Sequence, residues 1–260
     1  MKLWWVMFRK EWKEMMKSYK LLWMPVAFAL LGMIQPLTSY YMSDILRYFG
    51  DLPEGTTFDI PMPTASEVMV STLSGQFNQV GMLILVMASM GLVASERSAG
   101  IASMLLVKPI SYASYVTSKW AGGLALTWLS FGLGYLSCWY YTTLLFGDLP
   151  TAASIQAFLL YGLWLSFICT VTTAFSTLLK NSGAVAAVSL LIVIAVAGGT
   201  SILPGWMSWS PARHLDHSIS VLTEGTVGSH FLLSLVSTAG VMIALMALAI
   251  LMFRRKELVE

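Results

Sequence analysis

The chain has 260 residues, 57% of them hydrophobic and only 11% charged, with a mean hydropathy of +0.74 and a formal net charge of +2. A soluble domain of this length carries about a quarter charged residues, so the composition excludes an ordinary soluble fold. The near balance of charge gives no footprint for nucleic acid.

Residues 3–20, LWWVMFRKEWKEMMKSYK, have a helical period. Trp5, Phe8, Trp12, Met15, Met16 and Tyr19 share one face, and Lys10, Lys13, Lys17 and Lys20 share another. This predicts an amphipathic helix over residues 1–20, lying in the membrane interface with its amines near anionic lipid headgroups. The segment is too charged for a cleavable signal, and no small-residue cleavage site follows the next apolar run.

Six apolar runs then reach the roughly 20 residues that cross about 30 Å of hydrocarbon as a helix. They lie at Leu21–Met42, Gln76–Ser95, Val116–Phe146, Ser154–Leu179, Ala184–Leu203 and Phe231–Phe253. The third and fourth exceed what the bilayer needs, which predicts tilt or projection beyond it. The chain therefore reads as one all-α integral membrane domain over residues 1–260.

Between the first and second spans, Ser43–Gly75 carries turn chemistry at Leu52–Gly55 and prolines at 53, 61 and 63. Thr64 and Glu67 then match a capping box. Ala65, Val68, Met69 and Leu73 follow on one face, predicting a short external helix over Thr64–Leu73.

Residues 96–112 connect the second and third spans and are too polar to cross. Glu96 and Arg97 fix the exit of the second span from hydrocarbon. From Ala99, the residues Ile101, Met104 and Leu105 form a short helical face, and Pro109 stops it. Ser111 is placed to cap a new helix running through Tyr115 and Lys119 into the third span. On the residues alone, two readings stand: a connector hugging the membrane, or a surface offered to a partner.

Cys138 and Cys169 both fall inside apolar runs and read as unpaired small hydrophobes. After the fifth span, Ser210-Pro211 predicts the start of a second external helix, with Leu215, Ile219 and Leu222 as its apolar stripe and its end near Gly225. His214, Asp216, His217 and His230 are spaced too loosely for a metal site and read as solvent-exposed polar residues.

Orientation follows from the basic residues. Thirteen of the 15 lie on the face that holds both termini, the 96–112 connection and Lys180, whereas the opposite face has only Arg47 and Arg213. Both termini and the 96–112 segment are thus expected in the cytoplasm. No Lys, Arg, Asp or Glu sits mid-span, which counts against ion-coupled transport. The polar groups nearest the span centres are few. Gln35, Asn78, Gln79, Thr170 and Thr173, among methionines and aromatics, suit an amphipathic or apolar cargo such as a lipid, peptide or drug.

The chain contains no GxxxxGK[ST] phosphate loop, and no HExxH or GxSxG motif. The run Glu96-Arg97, Gly100, Leu105-Leu106, Lys108-Pro109-Ile110-Ser111, Tyr115 and Lys119 resembles the cytoplasmic loop signature of ABC-2 type ABC transporter permeases. Six spans, the interfacial helix and the external segment before the last span agree with that family along the whole chain. Two features depart from it: Ile101 stands where members often have threonine, and Ser43–Gly75 is unusually long.

The resemblance implies a multi-pass bacterial cell-membrane permease that is not itself an enzyme and binds no cofactor or metal. ATP and magnesium would belong to a separate ABC ATPase subunit. The 96–112 loop would hold a coupling helix docking on that ATPase, with Glu96, Arg97, Gly100, Met104, Leu105, Lys108 and Pro109 as contact positions. It further implies an exporter and a homodimer joined through the first and fifth spans. The alternative is a non-transporting membrane regulator that binds a cytoplasmic partner through the same loop.

Overall fold

The computed structural model describes residues 2–42, 44–45, 61–100 and 111–257, and all regular elements among them are helices. The turn expected at Leu52–Gly55 lies outside the described residues.

Helix α1 (Lys2–Lys17) ends at a turn where Tyr19 takes a left-handed φ of 57°, and α2 (Lys20–Tyr40) begins in a new direction. The turn separates the amphipathic segment from the first span, as its pattern predicts. The face that α1 turns inward is a separate strip from the aromatic one. It is Met7, Glu11 and Met15, each four residues from the last, that are buried. Trp4, Phe8 and Trp12 stack in a row beside that strip, at 5.6 and 6.3 Å between rings, and Trp5 and Met16 are exposed.

Helix α3 (Ala65–Ser98) starts where the capping box places it. The Thr64 amide donates to Glu67 Oε2 at 2.7 Å, and the Glu67 amide donates to Thr64 Oγ1 at 3.3 Å. The expected break near Leu73 is absent: the helix expected over Thr64–Leu73 and the second span form one 34-residue element, wound as a π-helix over Thr72–Gly81. The buried stripe explains this. Met69, Leu73 and Phe77 repeat every four residues and are all at most 1% exposed. Gly75 inside the helix costs about 1 kcal/mol relative to alanine, too little to interrupt that packing.

Helix α4 (Tyr112–Phe146) is capped by Ser111, whose hydroxyl accepts from the Ser114 amide at 3.2 Å. Its 35 residues extend about 50 Å, well beyond the hydrocarbon. After it come α5 (Thr151–Leu178), α6 (Ser182–Ile202), α7 (Arg213–Glu224) and α8 (Phe231–Glu257). Among the described residues, six helices, α2 to α6 and α8, are long and apolar enough to cross a membrane. Helix α5 is the hub: 78% of its most apolar stretch is buried, against 22% for α6.

Helices α2 and α4 touch backbone to backbone. A Cβ added to Gly32 would lie 2.1 Å from the Gly134 carbonyl oxygen, and one added to Gly134 would lie 2.6 Å from that of Phe28. Close helix contact of this kind requires glycine on both sides. Beside the crossing, Phe77 packs against Phe28, Phe131 and Tyr161. Cys138 and Cys169 are buried and free, as their apolar surroundings suggested.

Helix α7 ends at Gly225, in the left-handed region at φ 70°. Its histidines correct the sequence reading: His214 and His217 are buried, at 0% and 4% exposure, and only Asp216 and His230 are exposed. The reason lies on α8. Thr238 donates its hydroxyl proton to the Ser234 carbonyl at 2.6 Å, so its oxygen is left to accept from His214 Nε2 at 3.1 Å. Ser234 likewise donates to the Phe231 carbonyl at 2.9 Å and accepts from His217 Nε2 at 3.3 Å. Both rings are thereby placed to donate from Nε2.

Candidate functional site at the root of the 96–112 loop

The 96–112 connection leaves α3 through a local break. Helix geometry lapses over residues 90–93, freeing the amides of Val93 and Ala94. Ser176 of α5 repairs both, its hydroxyl oxygen accepting from each at 3.0 Å while donating to the Met90 carbonyl at 2.9 Å. Lys20 donates to the Ala88 carbonyl at 2.8 Å from the start of α2. The last turn, Ala94–Ser98, is thus aimed by two other helices.

On that turn Glu96 is buried, 4% exposed, and bound from three directions. Lys119 of α4 lies 3.2 Å from it, Lys10 of α1 is ion-paired to it, and the Tyr115 hydroxyl donates to it. Lys119, 1% exposed, also pairs with Glu11 of α1 at 2.9 Å. Glu11, Glu14 and Glu96 approach closely enough to share a cation. The Lys10 ammonium reaches all three, at 3.5 Å from Glu11 and 3.2 Å from Glu14.

The charges respond to this setting. Burial lifts the Glu11 carboxyl above its ordinary range, with the Lys119 ammonium opposing. Burial works against the Lys10 charge, but its hydrogen bond to Glu96 and the fields of Glu11, Glu96 and Glu14 outweigh that and hold its pKa well above the usual lysine value.

Arg97, 8% exposed, points into the bundle as well. It donates to the Thr177 carbonyl of α5 at 2.9 Å and lies 5.5 Å from the centre of the Phe253 ring on α8. Phe253 in turn stacks on Tyr115 at 5.7 Å. Together, Glu96 and Arg97 tie the loop root to α1, α4, α5 and α8.

This root carries the loop signature read from the sequence, within an all-helical bundle with six candidate spans. The sequence profile of ABC-2 family transporter proteins matches residues 5–258. The chain belongs to the ABC-2 transporter family. It is also 37% identical over 257 residues, 99% of each chain, to an uncharacterized transmembrane protein, YxlG, of Bacillus subtilis (strain 168). ABC-2 permeases are membrane components of transporters, and membership implies in general an ATPase partner.

Of the docking positions expected in this ABC-2 permease, Met104, Leu105, Lys108 and Pro109 lie outside the described residues. Gly100 is exposed and takes φ +70°, so glycine here serves a left-handed turn at the end of α3. Glu96 and Arg97, expected as docking contacts, have buried side chains engaged within the chain. Their isolated charges would cost too much at a span end, so the bundle supplies counter-charges and a carbonyl.

The expected pathway residues are engaged separately. Gln35 donates to Ser39 of its own helix at 3.3 Å, and Gln79 is exposed. Asn78 accepts from Trp164 at 3.1 Å, Thr170 accepts from Trp120 at 2.9 Å, and Thr173 donates to the Cys169 carbonyl at 2.8 Å. An apolar cavity of about 180 Å³ between α4 and α5, bordered by Tyr135, Trp139 and Phe158, is lined by none of them.

Sequence reasoning named Tyr115 and Lys119 only as signature positions and assigned Glu11 no role. The available signal was Glu11 midway between Met7 and Met15 on one helical strip, an acid in an apolar row that requires a buried cation.

Proposed function

We propose that this permease is the membrane subunit of an ATP-driven exporter in which the 96–112 loop docks on a separate ATPase. Gly100, Met104, Leu105, Lys108 and Pro109 are the proposed contact positions, and Glu96 and Arg97 hold the loop at its root. The observation that carries this reading is the buried ion-pair network at Glu96, in a chain of the ABC-2 family. A loop fixed to four helices transmits a displacement to the spans, where a loosely tethered one would absorb it. Two copies would complete the pathway, joined through α2 and α6. That pairing is supported by the uncovered apolar rows on α2, including Leu22, Val26, Leu30 and Ile34, and by the small residues of α6. Both termini would be cytoplasmic, and the cargo amphipathic or apolar.

The test is co-purification of the full chain from its own cells, with mass spectrometry for a P-loop ATPase. The wild type is expected to retain such a protein, and Leu105→Asp to lose it while still inserting in the membrane. An undiminished complex with Leu105→Asp would rule out docking through this loop.

A further inference from the structure

We infer that Arg9, Lys13 and Lys17 bind anionic phospholipid headgroups, and that this contact sets the position of the cytoplasmic loop through Glu96. The consequence for transport rests on the docking role proposed above; the lipid site and the loop movement do not.

Arg9, Lys13 and Lys17 recur every four residues, so they form one line on α1 with about 6 Å between steps. All three are exposed. Among the described residues, the acids near α1 pair with Lys10 and Lys119, and no ion pair takes up these three cations. Arg9 and Lys13 border two clefts, one on the basic side of the helix and one shared with Trp5, Phe8 and Trp12.

That juxtaposition selects the ligand. An acidic protein or a nucleic acid would satisfy the cations but leave the stacked aromatic row in water. A bilayer surface takes both, with phosphates at the cations and the rings at the start of the acyl chains.

The opposite strip of the same helix holds the loop root. Glu11 pairs with Lys119, and Lys10, next to Arg9 in the chain, pairs with Glu96. A shift of α1 toward an anionic surface must therefore move Glu96 or break a buried ion pair. The anionic lipid content of the membrane becomes a control on where residues 96–112 sit.

The full chain is placed in nanodiscs with and without phosphatidylglycerol, with a spin label at Ser98→Cys, an exposed position on the last turn of α3. Phosphatidylglycerol should change the label's mobility in otherwise wild-type protein. Arg9→Gln/Lys13→Gln/Lys17→Gln should abolish that change and weaken the attraction of α1 to the anionic surface roughly a hundredfold, at about a factor of five per basic residue. Arg9→Lys/Lys13→Arg/Lys17→Arg should keep the response. Glu96→Gln should keep the lipid contact and lose the loop response.

Photo-crosslinking from a phosphatidylglycerol headgroup to α1 of the unmodified chain checks the site independently of any variant. A triple glutamine variant that responds like the wild type, or a crosslink that avoids α1, overturns the inference. So does an equal response to soluble glycerol 3-phosphate in neutral lipid, which would make this a free-anion site. No ATPase is present in these measurements, so failure of docking leaves their outcome unchanged.

Discussion

The two ends of the bundle bury polar groups in opposite ways. At the loop root, Glu11, Glu96, Lys10 and Lys119 form ion pairs across three helices. At α7, burial favours the neutral form of His214 and His217, and hydroxyls of a single neighbouring helix, α8, hydrogen-bond to both rings. A paired charge loses much when its partner goes, because the survivor stays buried. A neutral imidazole loses only a hydrogen bond unless it is protonated. The first end is therefore sensitive to mutation and the second to acid.

The largest expected effect breaks the charged end. Lys119→Met leaves Glu11 and Glu96 short of a counter-charge and should destabilise the protein by about 3–5 kcal/mol. Glu11→Met/Lys119→Met should recover most of that loss, because Glu96 keeps Lys10 and Tyr115. Thermal unfolding of the two variants in one detergent decides it. A double variant no better than the single would show that the ion pair is not what holds α1 to α4.

The next effect sharpens the contrast through pH. Burial, with the neighbouring His217 adding to it, lowers the His214 pKa to about 4 from the ordinary 6.5. Between those values the unfolded chain binds a proton that the folded chain refuses. The stabilisation is therefore complete above pH 6.5 and is lost as pH falls toward 4. At pH 5 the loss should reach about 2 kcal/mol relative to pH 7.5. His214→Asn should show a shallower decline in denaturant midpoint over that range; an unchanged decline would place the acid sensitivity elsewhere.

The smallest effect lies at the N-terminal start of α3. Thr64→Ala removes the acceptor for the Glu67 amide and should cost about 1 kcal/mol. A shift in melting temperature well below that expected from Lys119→Met, measured alongside it, preserves the ranking of the two ends.

Much of this protein was legible in the order of its residues. Uninterrupted apolar runs dictate helices because hydrocarbon offers the backbone no other partner. The six spans, the caps at Thr64 and Ser111, the turn before α2 and the left-handed glycine after α7 all follow from local chemistry. Contacts between elements distant in sequence were not legible. No local rule says that Glu11 meets Lys119, 108 residues later, or that α8 brings hydroxyls to two histidines. Nor does one say that α3 runs straight through Gly75. The sequence by itself determined which segments enter the membrane and where helices begin, since those depend on the nearest few residues. Only the tertiary structure decided which polar groups are buried and with whom, because burying a charge becomes tolerable only once a second helix has supplied its partner.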